Sequence, residues 1–360
     1  MNETDDRKHR KRGPLARPHT SLQGQVALIT GGSRGLGLVL ARQLADAGCK
    51  LAICARDETE LARAATLLNE HGGRNQENAR LNGRGPGPEV LAVPCDLTDR
   101  ARIPDMVDRV TQHFGRIDIL INNAGIIQVT PLGNATRADF QSAMDTMFWG
   151  MYDVTMAVLP GMLAQGSGRI ANVTSIGGKI SVPHLLPYSA AKFAATGFSE
   201  GLRAELAGKN VTVTTIIPGL MRTGSIYNVL VKGEKRRELA WFSVLASVPG
   251  ISMGADRAAR HMIRALRRGQ AEAIIGVPAN LAARGQALFP NLTAGVLGLV
   301  NRVLPRAAAG DGMIATFSHQ LEDGLDRPVL RRVTMLSRQA ARHNNELPRS
   351  VIDGQQVKPL

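Results

Sequence analysis

Tyr188 and Lys192 stand four residues apart, and Ser175 lies thirteen residues upstream. If that stretch is helical, the tyrosine and the lysine share one face. A free phenol has a pKa near ~10 and is a poor acid–base group at neutral pH. A neighbouring ammonium favours the phenolate and lowers that value, and an oxidised nicotinamide would act in the same direction. Ser175 would then hold a substrate oxygen while Tyr188 gives or takes its proton. This is the chemistry of interconverting a small ketone or aldehyde with an alcohol by hydride transfer.

A hydride needs a carrier, and the start of the chain offers it a place. Val26-Ala27-Leu28-Ile29 is a short apolar run, followed by Thr30-Gly31-Gly32-Ser33-Arg34-Gly35-Leu36-Gly37 and a helical stretch. In such a strand-to-helix turn Gly31 allows the sharp turn, Gly35 the close approach of a pyrophosphate, and Gly37 the packing of helix on strand. The helix N-terminus then stabilises the anion through its free amides and dipole. The spacing is G-x-x-x-G-x-G, not the commoner G-x-G-x-x-G. The second strand runs into Ala55-Arg56, where an acid would select NAD through the ribose hydroxyls. Ala55 has no such group. Arg34 and Arg56 converging on one point suit a 2′-phosphate, because arginine forms bidentate charge-assisted bonds. NADP(H) is therefore expected over NAD(H).

The elements that must position these residues follow from periodicity. Apolar runs predict strands at Val26–Ile29, Lys50–Cys54, Val90–Val93, Ile117–Ile121, Arg169–Val173, Val211–Ile216 and Ala273–Gly276. Helical patterns cover Leu36–Ala47, Glu58–Leu68 and Ala255–Leu266. Strands alternating with helices of ten or more residues imply an α/β fold, a Rossmann-like doubly wound parallel sheet with right-handed crossovers. Residues 71–88 are rich in glycine and polar side chains and predict a long surface loop. The division expected is a disordered basic arm over 1–22, a catalytic domain over 23–278, and a C-terminal helical extension and tail over 279–360. After Thr223 the chain leaves the sheet, and residues 220–252 are expected as a lid over the cofactor.

Composition narrows the class. The 360 residues are 44% hydrophobic and 21% charged, ordinary for a soluble globular protein. Cys49, Cys54 and Cys95 show no C-x-x-C pair and no zinc-ligand spacing, so no metal is expected. They read as packing residues in a reducing, cytoplasmic setting. The net charge of +14 includes the run Arg7-Lys8-His9-Arg10-Lys11-Arg12, which reads as a solvated tail. Base-stacking aromatics do not accompany the charge, so a nucleic-acid partner is not expected. No apolar stretch of signal-peptide length follows the N-terminus, and no uninterrupted run reaches the ~18 apolar residues of a spanning helix.

Taken together, the ordered motifs from about Val26 to Thr223 resemble the short-chain dehydrogenase/reductase family. Thr30 to Gly37, with Gly31, Ser33, Arg34, Gly35, Leu36 and Gly37, resembles its cofactor loop, and Asp96-Leu97 its adenine contact. Asn122-Asn123-Ala124-Gly125 resembles its sheet-stabilising segment beside the cofactor. Ser175, Tyr188 and Lys192 fall on the catalytic serine, tyrosine and lysine, and the resemblance also places Lys192 on the nicotinamide ribose. Pro218-Gly219 and Thr223 match the turn after the sixth strand, where the threonine meets the carboxamide. A homo-oligomer is implied by the family habit. One position departs: Met147 stands where the family carries a relay asparagine, and a thioether accepts hydrogen bonds weakly and donates none. That leaves a second reading, an NADPH-binding protein of the same fold with impaired chemistry.

The remaining features bear on substrate. Leu185-Leu186 just before Tyr188 would line the cleft by analogy with the family and suggest a hydrophobic carbonyl compound. His184 beside them reads as a packing or loop residue. Leu281 to Leu304 is more apolar than a family core requires. It reads as helices packed over the cleft or a subunit partner, with a peripheral membrane contact through Arg284 and Arg302 as the alternative.

Overall fold

The structure is a computed structural model that describes residues 21–80, 89–321 and 332–347. Seven strands form one parallel sheet: β1 (Val26–Thr30), β2 (Lys50–Ala55), β3 (Val90–Pro94), β4 (Ile119–Asn122), β5 (Gly168–Val173), β6 (Val211–Pro218) and β7 (Glu272–Ile275). Their spatial order is β7-β6-β5-β4-β1-β2-β3, and Ala27 of β1 is registered between Leu51 of β2 and Ile119 of β4. The order reverses between β1 and β4. In an open α/β sheet the crevice at that point is where ligands bind.

Both faces of the sheet are covered, which is why the strands read as continuous apolar runs. On β1 alone, Ala27 and Ile29 enter one core and Val26 and Leu28 the other, the alternation that the pleat dictates. The helices are α1 (Gly35–Asp46), α2 (Glu58–Arg80), α3 (Arg102–Phe114), α4 (Arg137–Met144), α5 (Gly150–Ala164), α6 (Leu186–Glu205), α7 (Lys235–Ser247) and α8 (Ala255–Arg267). Helices α1, α2 and α8 share the first core, and α3 and α5 pack into the second. A π-helical stretch, Asp145–Trp149, joins α4 to α5.

Several expectations need correcting. Residues 71–80 continue α2 and are not a loop; the rest of that segment, 81–88, lies outside the described residues. Local helix bonds there outlast the glycines at 72 and 73, each a penalty of only ~1 kcal/mol. The N-terminal arm ends earlier than expected, because Leu22 is 2% exposed and packs in the first core; residues 1–20 lie outside the described part. Residues 220–252 form a packed lobe. Val229–Val231 pairs with Ile127–Val129 and with Thr316–Phe317, and Val129, Ile226, Val231, Leu239 and Phe242 give the lobe a core of its own. The three cysteines are free and buried, and burial pushes the Cys54 thiol up to about 12.

The C-terminal part contains α9 (Val277–Leu288), α10 (Pro290–Val303) and α11 (Met335–His343). Helix α10 buries none of its residues against the described part of the chain, where a packed helix was expected. Helix α11 instead returns the chain to the first turn of α1, where the Gly35 amide meets the Asn344 carbonyl.

Candidate active site

Ser175 follows β5 by two residues in extended backbone, and its Oγ accepts the Gly177 amide at 3.0 Å. Helix α6 begins eleven residues later with Pro187 in its first turn, a position where proline is preorganised for helix. Tyr188 and Lys192 are therefore one turn apart on α6, as their spacing required. Tyr188 shares a hydrogen bond with Ser175, and Lys192 Nζ lies 5.9 Å from the centroid of the Tyr188 ring. The three residues meet at the C-terminal edge of the sheet.

The electrostatics differ from expectation. Burial raises the Tyr188 pKa, and the bond from Ser175 only opposes it. Lys192 is 4% exposed, and burial draws its pKa down to about 8. Desolvation disfavours the charged form of each group. The phenol is thus a protonated donor at neutral pH, beside an ammonium close to its titration point.

A polar thread holds this arrangement. Asn122 at the end of β4 donates from Nδ2 to Thr155 Oγ1 of α5 and to Asn172 Oδ1 of β5, at 2.9 and 2.8 Å. Asn172 donates to Ser199 Oγ of α6 at 3.0 Å, and Ser199 pairs with Thr215 Oγ1 of β6 at 2.7 Å. All of these groups are buried; the Thr155 bond ties α5 to the sheet, and the two bonds of Ser199 fix α6 against β5 and β6. Thr155, Asn172, Ser199 and Thr215 carry no signal in sequence beyond being polar at apolar-patterned positions.

The residues expected to hold a cofactor gather at the switch point. Thr30 Oγ1 accepts the amides of Asn123 and Ala124 at 2.9 and 3.1 Å, and Asn123 Nδ2 donates to the carbonyls of Thr30 and Gly31 at 3.1 and 3.2 Å. A Cβ on Gly37 would collide with the Gly31 carbonyl, so the turn admits only glycine there. Gly35 has φ +54°, a conformation that favours glycine. Thr223 is buried and accepts the Ser225 amide at 3.1 Å. The Gly219 amide donates to Ile275 at 2.9 Å, prolonging the β6–β7 pairing past Pro218. These residues could hold a dinucleotide, whose phosphates the N-terminus of α1 would stabilise.

Other expected contacts are differently engaged. Arg34 is ion-paired with Glu60 at 2.8 Å, and Ser33 Oγ also donates to Glu60; Arg56 is exposed. Arg34 is thus engaged with Glu60 at the start of α2. Asp96 accepts the amide and hydroxyl of Thr98 at 3.0 and 2.9 Å, and Leu97 is largely buried in the second core. Met147 is fully buried in the π-helical stretch against Ala191 and Tyr188. Its Sδ and Lys192 Nζ lie 3.6 and 3.8 Å from where a Cβ on Gly125 would sit, so both side chains border the Asn123-Ala124-Gly125 segment.

His184 has a partner that the sequence does not reveal. It sits at φ +63°, and its Nδ1 lies 2.9 Å from both carboxylate oxygens of Glu238. Glu238 is fully buried on α7 and also accepts from Trp241 Nε1 at 2.7 Å. The loop leading to Tyr188 is thereby tied to the lobe formed by residues 220–252. Fifty-four residues separate the pair, too far for any local pattern.

Comparisons with known proteins identify the family. Residues 25–230 match the short chain dehydrogenase family. A dehydrogenase/reductase SDR family protein 7-like of Anopheles gambiae is 39% identical over 210 residues, 58% of this chain and 63% of that protein; the match spans just under two thirds of its length. An oxidoreductase of Mycobacterium tuberculosis named SadH is 32% identical over 264 residues, covering 72% of this chain and 89% of that one. Among solved structures, a single-site variant of an actinorhodin polyketide ketoreductase with NADPH superposes with a TM-score of 0.57 at 29% identity, over 71% of this chain and 95% of that one. Levodione reductase gives a TM-score of 0.60 at 25% identity, over 74% and 99%. With seven parallel strands in this order and Ser175, Tyr188 and Lys192 meeting at their edge, the chain belongs to the short-chain dehydrogenase family.

Proposed function

We propose that the protein is an NADP(H)-dependent reductase or dehydrogenase that interconverts a hydrophobic ketone or aldehyde with its alcohol. The observation that carries this is the meeting of Ser175, Tyr188 and a buried Lys192 beside a glycine turn at the switch point. When bound, the nicotinamide supplies or accepts the hydride. Ser175 Oγ holds the substrate oxygen, and Tyr188, kept neutral by burial, gives that oxygen its proton during reduction. The Lys192 ammonium stabilises the charge that develops on the phenol oxygen.

The cofactor preference rests on Ala55 and Arg56 at the end of β2 and on Arg34 in the turn, which exchanges Glu60 for a 2′-phosphate. The hydrophobic substrate class rests on Leu185 and Leu186 at the cleft, and on relatives named as 3-oxoacyl-[acyl-carrier-protein] reductase and ketoacyl reductase. A homo-oligomer in the cytoplasm, in peripheral contact with lipid through its C-terminal helices, completes the reading. The second reading, a cofactor-binding protein with impaired turnover, is favoured by one observation, Met147 bordering the same segment as Lys192.

NADPH consumption against a panel of hydrophobic ketones and aldehydes tests the first reading, with NADH and Tyr188→Phe run alongside. Turnover with NADPH that vanishes in the variant is the expected result. Tight NADPH binding without turnover on any panel member would transfer the assignment to the second.

A further inference from the structure

Helices α9 and α10 form a hairpin in which α9 packs on the end of the sheet through Ala279 and α10 buries none of its residues among those described. Leu288 and Leu292 are 72% and 67% exposed, Leu299 62% and Val303 80%. Leu292, Val296, Leu299 and Val303 recur at helical spacing on one face of α10. An apolar surface of this extent is covered by something in the working protein. From Ala273 to Gly310 the sequence has no aspartate or glutamate, and its charges are Arg284, Arg302 and Arg306. At about 21 Å, fourteen residues of helix fall short of the ~30 Å hydrocarbon core, and among the described residues no helix is long and apolar enough to cross a membrane.

We propose that the α9–α10 hairpin docks on the surface of an anionic bilayer, its leucines and valines below the headgroups and its arginines among them. This deepens the functional reading above. Ala279 of α9 packs 2.9 Å from where a Cβ on Gly219 would sit, so the hairpin springs from the turn at the catalytic crevice. Each arginine at the surface adds ~1 kcal/mol toward anionic lipid, beside the larger apolar contribution.

Co-sedimentation with phosphatidylcholine vesicles, with and without phosphatidylglycerol, tests the docking without any need for turnover. The full chain is expected to pellet with the anionic vesicles, and less with neutral ones. The double variant Leu292→Glu, Leu299→Glu is expected to stay in the supernatant with its circular dichroism unchanged, since α10 buries none of its residues. Wild type remaining in the supernatant would overturn the proposal. So would light scattering in which the double variant has lost a dimer that wild type forms, because the face would then join two copies.

A second, independent observation concerns α11. The Gly35 amide at the start of α1 donates to the Asn344 carbonyl at 2.8 Å. Asn345, at φ +57°, donates to the Ser33 and Glu60 carbonyls at 2.9 and 3.1 Å, and Arg42 donates to the His343 carbonyl at 2.7 Å. Glu346 follows, with Oε1 2.7 Å from where a Cβ on Gly35 would sit and Oε2 2.6 Å from the same point on Gly224. It is 5% exposed, and among the described residues Oε2 has no hydrogen-bond partner. A carboxylic acid thus stands between the glycine turn and the turn after Thr223.

We infer that Glu346 is a self-ligand of the glycine turn, and that residues 335–346 must lift away for a dinucleotide pyrophosphate to reach Gly35. The inference rests on the cofactor reading above. NADPH fluorescence titration and hydrogen exchange of wild type and Glu346→Ala test it. The variant is expected to bind NADPH about five- to tenfold more tightly, as a mostly closed population lowers apparent affinity by its competent fraction. NADPH is also expected to speed exchange across residues 335–346 of wild type. Unchanged or weakened binding in the variant, or protection of that segment by NADPH, would overturn the latch. NADPH bound by neither protein would remove the cofactor reading, and the latch with it.

Discussion

Lys192 donates from Nζ to the carbonyl oxygen of Val173 at 3.0 Å, two residues before Ser175. The bond pins α6 to β5 just where the strand delivers the serine. It also satisfies a buried ammonium with one neutral acceptor, which is why desolvation prevails and the lysine titrates near 8.

That value sets a pH dependence. Below about pH 8 Lys192 is charged and supports the negative charge on the Tyr188 oxygen; above it the support is lost. Reduction of a ketone, measured as kcat/KM, is expected to be level from pH 6 and to fall as pH rises through about 8. A profile flat to pH 10 would show that Lys192 does not act through its charge.

Tyr188→Phe removes one oxygen and its hydrogen bond with Ser175 while keeping the ring. Loss of a positioned proton donor lowers turnover by roughly 10²–10⁴-fold. NADPH affinity is expected to stay close to wild type, because the ring still packs against Met147. A variant that loses both together would make Tyr188 a structural residue.

Met147→Asn gives Lys192 a second neutral acceptor in a place now filled by a thioether. A hydrogen bond to the charged form raises a lysine pKa, so the alkaline limb of the profile is expected to move up by about one pH unit. An amide left without a partner there costs about 1–3 kcal/mol of stability, readable as a lower Tm. A limb that stays at about 8 would place Met147 outside the proton path.

How far the sequence announces all this depends on sequence separation. The sheet is legible because strands buried on both faces read as unbroken apolar runs, and Tyr188 and Lys192 because a helix turn fixes their spacing. Residues 71–80 are not, since glycine and polar side chains carry the same composition in a loop and in a helix. Glu238 against His184 and Glu346 against Gly35 are invisible, because chain reversal brings them together and nothing in their local pattern marks a partner. The exposed face of α10 reads in sequence as a packed one, since periodicity shows that a helix has an apolar stripe and not what covers it.

The arginines give a cofactor test. Arg34 now pairs with Glu60 at 2.8 Å and Arg56 is exposed. A charge-assisted bond to a 2′-phosphate contributes about 1.5–3 kcal/mol. Arg34→Ala and Arg56→Ala are each expected to lower the NADPH-over-NADH preference in Kd by roughly tenfold or more. Glu60→Gln, which frees Arg34, is expected to raise it. Equal affinities for the two cofactors in wild type would assign both arginines to the surface.

Glu346 links closure of the C-terminal segment to pH. Burial raises its pKa from 4.5 to about 8, with Arg34 opposing and Glu60 reinforcing the shift; Arg42, which holds the neighbouring Asn344 side chain at 3.2 Å, is the other charge on the α1 side. The docked state therefore keeps a proton that the undocked state has released. Wherever the less ordered state binds fewer protons, stability falls with rising pH. Docking is fully favoured below about pH 4.5, weakens as pH rises through the interval to about 8, and levels off above it. Hydrogen exchange across residues 335–346 is expected to show this once intrinsic exchange rates are divided out, with protection lost progressively between pH 5 and pH 8. Glu346→Gln, which has no proton to release, is expected to keep its protection over the same range. Equal pH dependence in the two proteins would place the titrating group elsewhere and leave Glu346 without control of the latch.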